Sequence, residues 1–332
     1  MRSNLSLDSV SISLRACVLA WFANVLLLAL LFASGGLSAS PTDAGQSAFW
    51  RISKGGVDAG YVLGTIHSED PRVLDFPADF IAQLTSCQVF AMELLPDMAT
   101  IGRINEFMQY PDAETLQRTL GKERYERVMA ALEAYQVPSD WKARMKVWAA
   151  MMTLSVPVPE TGFFMDFSLS LRAAGSGMKV SGLETLEQQL SFLESMPVAY
   201  QLALLDQALS DYQRVDELND EMVDVYLTGD LARLQRLSEE QFSQLDPEIR
   251  DYFLRGGILE RNQHMAENLA TLLQEGRVFV AVGALHLPGP GGLLALLRQH
   301  GYEVDSMPMP FAPVAGPRGA NQAEAPGDPA TG

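Results

Sequence analysis

The chain has 332 residues, 48% of them hydrophobic and 20% charged, with two cysteines, 15 phenylalanines and four tryptophans. That is enough chain to bury a sizeable core, and it excludes a wholly disordered polymer, a disulfide scaffold and a four-cysteine zinc site. Lysine and arginine number 24 against 41 acids, a formal net charge of −17, so the overall field repels phosphate backbones and no nucleic-acid partner is expected.

The first forty residues read as an address. Arg2 and Arg15 precede an apolar run from Ala16 to Ala33, and the small-residue stretch Ser34-Gly35-Gly36-Leu37-Ser38-Ala39-Ser40 follows. Basic, apolar and small residues in that order describe a secretory signal. The run also reaches the lower limit for a spanning helix, so an uncleaved membrane anchor is the alternative, and the only membrane contact expected. Either way the bulk of the protein is expected to be periplasmic or secreted. Removal of the signal takes Cys17 with it and leaves Cys87, expected as a buried, inert thiol on the helical segment Ile81–Cys87.

Beyond the signal, Phe49–Ile52 and Tyr61–Gly64 read as strands joined by a turn at Gly55-Gly56. A helix over Asp79–Thr85 and an apolar strand over Val89–Met92 come next. From about residue 112 to 273 the apolar period becomes helical, with segments Trp141–Met152, Leu186–Leu209, Val215–Leu227 and Arg261–Leu273. Met178–Leu183 interrupts them as a short strand. Val278–Val282 is a continuous apolar run suited to a strand buried on both faces. Gly291–His300 reads as a helix and Tyr302–Val304 as a last strand. Residues 312–332 are Ala-, Pro- and Gly-rich and are expected to be disordered. The predicted architecture is thus a single α/β domain over residues 49–311. Two related strand-helix-strand halves form a central sheet, and a large helical insertion over about 112–273 separates them.

The halves resemble each other where they matter. Tyr61-Val62-Leu63-Gly64-Thr65-Ile66-His67 and Val280-Ala281-Val282-Gly283-Ala284-Leu285-His286 are both an apolar strand, a glycine, two residues and a histidine. Two of only four histidines therefore follow strand ends, where open α/β sheets collect ligands. Imidazole is a common ligand for divalent metals, and a nearby carboxylate can complete the set or act as a base. Glu93 and Glu184 each stand at a strand end and are candidates for either role, or for capping the helices that follow. His264 and His300 read as an ordinary helix residue and a helix-end residue. Gly289-Pro290-Gly291-Gly292 reads as a turn, and Ser68-Glu69-Asp70 as a solvated loop that caps the next element.

Gly64-Thr65-Ile66-His67, Glu93, Gly182-Leu183-Glu184-Thr185, Arg261-Asn262 and Val282-Gly283-Ala284-Leu285-His286-Leu287-Pro288-Gly289, taken in this order, resemble the TraB/GumN family, which includes the Tiki proteases. The resemblance runs from about Phe49 to Val304. It implies a fold related to the erythromycin esterase and ChaN-like group and, for the Tiki branch, a metal-dependent peptidase active with manganese or cobalt. His67 and His286 match the family's two histidines, Glu93 and Glu184 its acids, and Arg261 with Asn262 its Arg-Asn pair.

The expected site therefore has His67, Glu93 and His286 holding a divalent ion (manganese, cobalt or zinc), with Glu184 as base; the two glutamates could exchange roles. Arg261 and Asn262 complete the catalytic set. Arg261 would stabilise an oxyanion or anchor a substrate carboxylate, the alternative being a buried ion pair with Glu184. The expected substrate is a peptide or protein. Two other functions stay open: a metal-free hydrolase with His67 as general base, and a non-catalytic protein that binds haem, iron or another ligand.

Overall fold

The computed structural model describes residues 47–311. The expected signal or anchor over 1–40 and the expected disordered tail over 312–332 lie outside the described residues. Six strands form one sheet: β1 (Phe49–Lys54), β2 (Val57–Thr65), β3 (Val89–Leu94), β4 (Lys179–Glu184), β5 (Val278–Gly283) and β6 (Glu303–Met307), in the order β4-β3-β5-β2-β1-β6. β4, β3, β5 and β2 run parallel, while β1 is antiparallel to both β2 and β6. Val278–Val282 is fully buried at every residue, as a strand covered on both faces requires.

Around the sheet lie α1 (Pro71–Leu74), α2 (Ala78–Thr85), α3 (Met98–Phe107), α4 (Glu114–Ala131), α5 (Ser139–Arg144), α6 (Val147–Leu154) and α7 (Met165–Gly175). After β4 come α8 (Leu186–Glu194), α9 (Val198–Asp211), α10 (Val215–Leu227), α11 (Leu231–Gln241), α12 (Pro247–Phe253) and α13 (Glu260–Glu275), and α14 (Leu293–Gln299) precedes β6. None of the helices among the described residues is long and apolar enough to cross a membrane.

Two predicted helices are each divided in two. Trp141–Met152 breaks at Met145, where the chain runs beside Gln109 in a short antiparallel bridge and separates α5 from α6. Leu186–Leu209 breaks at Pro197, whose missing N–H cannot continue the ladder. Helix α6 is buried at every residue and packs on α9 and α4, so its methionines fill core there, and Gln201 Oε1 accepts from Trp148 N at 3.1 Å. Cys87 is buried in the turn after α2, which ends at Thr85, and burial raises its thiol to about 11.

Candidate metal and hydrolytic centre

Strands β2 and β5 are neighbours, with Thr65 opposite Gly283 and Gly64 opposite Val282. The two Gly-x-x-His motifs therefore leave adjacent strand ends, staggered by one residue. Each glycine allows a close approach. A Cβ on Gly64 would stand 2.8 Å from Ala284 Cα, and one on Gly283 would stand 3.3 Å from Glu93 Oε1. Beyond the strands the paths differ: His286 ends a single 3₁₀ turn, whereas His67 lies in an irregular loop.

His286 is locked from both sides. Its Nδ1 lies 2.6 Å from Asn262 Oδ1, while the amide nitrogen of Asn262 donates to Gly291 O at 2.8 Å. With the asparagine so oriented, His286 carries its proton on Nδ1, and the lone pair of Nε2 faces Glu93 Oε1 at 3.8 Å. Nε2 has no hydrogen-bond partner among the described residues. Burial disfavours the imidazolium and lowers the pKa of His286 to about 4, against the pull of Glu93. Near pH 7 the ring is neutral.

Glu93 sits inside β3 and is buried. Gly283 N donates to its Oε1 at 2.7 Å, and Arg261 Nη2 to its Oε2 at 2.7 Å. Burial opposes its ionisation, but the charge of a protonated His286, Arg261 and the Gly283 N–H outweigh that and lower the carboxyl to about 2. Arg261 also forks onto Glu184, with Nε 2.9 Å from Oε1 and 3.0 Å from Oε2. Burial first, and the neighbouring Glu93 charge in addition, raise Glu184 against the opposing pull of Arg261. A π-helical turn, Leu254–Leu259, leads into α13, where Arg261 reaches β3 and β4 and the next residue, Asn262, reaches His286 and Gly291.

His67 has another acid. Asp166, in the first turn of α7, places Oδ2 3.7 Å from His67 Nδ1, and its Oδ1 accepts from Thr65 Oγ1. Asp166 Oδ2 has no hydrogen-bond partner among the described residues. Phe164 stacks on the His67 ring at 4.1 Å. The loop that carries Phe164 is held by Glu69, which accepts from Glu160 N at 2.7 Å, Thr161 Oγ1 at 3.1 Å and the N–H of Gly162. Asp70 alone caps the following helix, through Arg72 N at 2.8 Å. The expectation for Ser68-Glu69-Asp70 thus holds for Asp70, while Glu69 ties two distant loops together.

Of the sequence-predicted residues, His286 is thus paired with Glu93, whereas His67, on the adjacent strand end, is paired with Asp166 from α7, a residue the sequence reading did not name. Among the described residues no three His, Cys, Asp or Glu side chains converge as a ready-made metal group, so His67, Glu93 and His286 do not form one. Glu184 faces Arg261 rather than an imidazole, and Arg261 takes the alternative expected for it, a buried ion pair, with both glutamates. Asn262 orients His286. His264 and His300 are exposed.

The donors nevertheless suit a divalent cation in kind. They are nitrogen and oxygen with no thiolate, and His286 offers an unprotonated, unbonded Nε2 fixed by its other ring nitrogen. Both histidine–acid gaps, 3.7 and 3.8 Å, are too long for hydrogen bonds. Each is a little under the sum of two metal–ligand distances of about 2.0–2.2 Å. Asp166 was not anticipated from the sequence. Its one signal there is an acid alone among the apolar residues of Phe163-Phe164-Met165-Asp166-Phe167, where burial demands a partner.

An α/β protein with paired histidines and carboxylates at the ends of neighbouring parallel strands is the class that this geometry defines. The chain belongs to the TraB/PrgY/gumN family, whose model matches residues 48–306. It is 24% identical over 316 residues to the Metalloprotease TIKI homolog of Nematostella vectensis, covering 78% of this chain and 67% of that one. Against Metalloprotease TIKI1 of Homo sapiens it is 25% identical over 318 residues, covering 79% and 62%. Uncharacterized protein YbaP of Escherichia coli (strain K12) is 24% identical over 243 residues, covering 72% of this chain and 87% of that protein. The chain spans 59–69% of the length of the TIKI relatives it matches. No solved structure matches it.

Proposed function

We propose that this protein is a metal-dependent hydrolase of peptide or protein substrates, acting outside the cytoplasm behind an N-terminal signal or anchor. The observation that carries this reading is the pair of histidine–acid couples on adjacent strand ends, one of them with an unbonded imidazole nitrogen held neutral. The metalloprotease names of the TIKI relatives support the reaction class. The order of basic, apolar and small residues before residue 41 supports the location.

His67, Glu93 and His286 would hold the cation, with Asp166 beside His67. A bound divalent ion supplies a water of lowered pKa and polarises the scissile carbonyl. The chain's own groups prepare for this. Asn262 fixes the tautomer of His286, while Arg261 and the Gly283 N–H keep Glu93 ionised. Glu184 holds Arg261 in place. Asp166, anchored by Thr65, faces Nδ1 of His67, and its unbonded Oδ2 would accept a proton from an attacking water.

Purified protein is expected to hydrolyse a peptide when manganese or cobalt is supplied and to stop on exhaustive chelation. Full activity in a His67→Ala, His286→Ala double variant would remove this reading. A second reading rests on the absence of three converging donors among the described residues: the His67–Asp166 pair works as a metal-free base. Activity that survives chelation but not Asp166→Asn selects it.

A further inference from the structure

A cavity of about 300 Å³ opens directly onto His67 and Asp166. Its floor is Thr65, these two residues and the end of β5, and its inner wall is Met151, Leu154, Leu204, Ala208 and Leu234, all buried. The outer wall is α10, which turns Val215, Leu218, Asn219 and Met222 toward it. These follow the i, i+3, i+4, i+7 spacing of an inward helix face, yet all four are only half-buried. The cavity, rather than protein, lies in front of them.

The wall is moored to the histidine loop and to the elements on either side of it, β2 and α1. Asn219 Nδ2 lies 3.5 Å from Ser68 Oγ, Arg72 Nη1 lies 2.5 Å from Asp224 Oδ1, and Tyr226 OH donates to Gly64 O at 2.8 Å. Polar groups at the mouth already have partners: Gln207 donates to Asp211, and Arg214 to Glu217. The walls thus make no demand for a charged ligand, and burying a charge against them would be unfavourable. The volume stands at the lower end of ligand pockets, room for a large side chain together with its adjoining peptide group and not for a large cofactor. Unused hydrogen-bonding capacity is on Asp166 Oδ2, an acceptor, and on the amide nitrogen of Gln241, a donor, both of which line the cavity. The occupant that fits has a bulky apolar body and a polar, hydrogen-bonding end.

We propose that this cavity is the specificity pocket for a large apolar side chain of a peptide substrate, seated so that the adjoining peptide group lies over His67 and Asp166. This rests on the hydrolase reading above and adds the substrate class. The residue next to the cleaved bond is leucine-, methionine- or phenylalanine-like, and acidic or glycine residues there are disfavoured.

The test uses the full chain with manganese and a peptide series in which one position is Gly, Asp, Leu or Phe. Wild type is expected to show kcat/KM roughly tenfold or more higher for Leu and Phe than for Gly and Asp. Ala208→Trp, which fills the cavity, and Met222→Asp, which charges its half-exposed mouth and spares the buried core, are each expected to erase that preference. Equal rates across the series, or a preference that survives both substitutions, would overturn the pocket. Binding is read separately from chemistry, by thermal shift with N-acetyl-phenylalaninamide against N-acetyl-glycinamide. If no peptide is cleaved but the phenylalanine amide alone raises the melting temperature, and Met222→Asp abolishes the rise, the pocket stands and the hydrolase reading falls.

Discussion

His67 and His286 leave neighbouring strands by matched sequence motifs, yet they are housed differently. His286 is held by Asn262 and faces Glu93, which is tied to Arg261, and Arg261 to Glu184; none of these five side chains lines the cavity. His67 and Asp166 do line it, and their holders are a threonine, a stacked phenylalanine and a loop pinned by Glu69. One arm is a sealed electrostatic frame and the other is a working surface. The difference teaches that motif symmetry places two histidines without giving them the same surroundings: one stands in a closed, charged frame, and the other lines the cavity that we propose meets substrate.

The largest expected effect comes from breaking the frame. Arg261→Met leaves two buried carboxylates without their cation, and removing one partner of such a group costs about 3–5 kcal/mol. Urea unfolding should register that loss, and Arg261→Lys should restore little of it, because an ammonium cannot fork onto Glu184 while reaching Glu93. A loss under about 1 kcal/mol would mean that the charges are not sealed, and the contrast between the arms would collapse.

Next in size is acid sensitivity. His286 is lowered from 6.5 to about 4 on folding, and Glu93 from 4.5 to about 2. Both shifts are depressions, so the stability each contributes is complete above its unfolded value and is lost as the pH falls toward its folded value. His286 governs the window from about 6.5 to 4, where up to about 3 kcal/mol is at stake at roughly 1.4 kcal/mol per unit. Glu93 governs the window below it. Melting temperature followed from pH 7 to 4 should fall steeply in wild type and less in His286→Gln. Identical slopes would show that the imidazole is not sealed from water.

The open arm is sharpened by a double-mutant cycle. Asp166→Asn should reduce kcat/KM by roughly 10–100-fold, the usual effect of removing a carboxylate that orients a ligating histidine. In a His67→Ala background the same substitution should have almost no further effect. Equal losses in both backgrounds would give Asp166 a merely structural role.

Much of this was legible in the chain. Periodicity located all six strands, because Val278–Val282 and its neighbours are apolar runs bounded by glycine and charge. The motif pair, with Glu93, Glu184, Arg261 and Asn262, named residues that the fold gathers at or near the ends of β2, β3, β4 and β5. Their wiring was not legible: Arg261 reaches β3 and β4 from a helix that the sequence places far downstream, and the π turn leading into that helix has no residue signature. Asp166 was hidden because a single acid in a phenylalanine-rich stretch has no period. The break at Met145 was hidden because the apolar pattern runs on across it while the bridge to Gln109 decides where the helix stops; the break at Pro197 carries its own signal in the proline.

The smallest expected effect tests how the open arm is held. Glu69 gathers donors from Glu160, Thr161 and Gly162, and the next residues in that loop are Phe163 and Phe164, with Asp166 two positions further on. Glu69→Gln keeps the shape but removes the charge and one acceptor, and a partly exposed charged bond of this kind is worth about 1 kcal/mol. That energy belongs to local opening of the loop rather than to global unfolding. Amide exchange at residues 160–164 should therefore speed up roughly fivefold, with the melting temperature nearly unchanged and kcat/KM reduced severalfold through loss of His67 stacking and Asp166 placement. Faster exchange with unaltered kcat/KM would separate the loop from the chemistry and leave Thr65 as the sole anchor of Asp166. Unaltered exchange would show that Phe164 and the first turn of α7 hold the loop without help from Glu69.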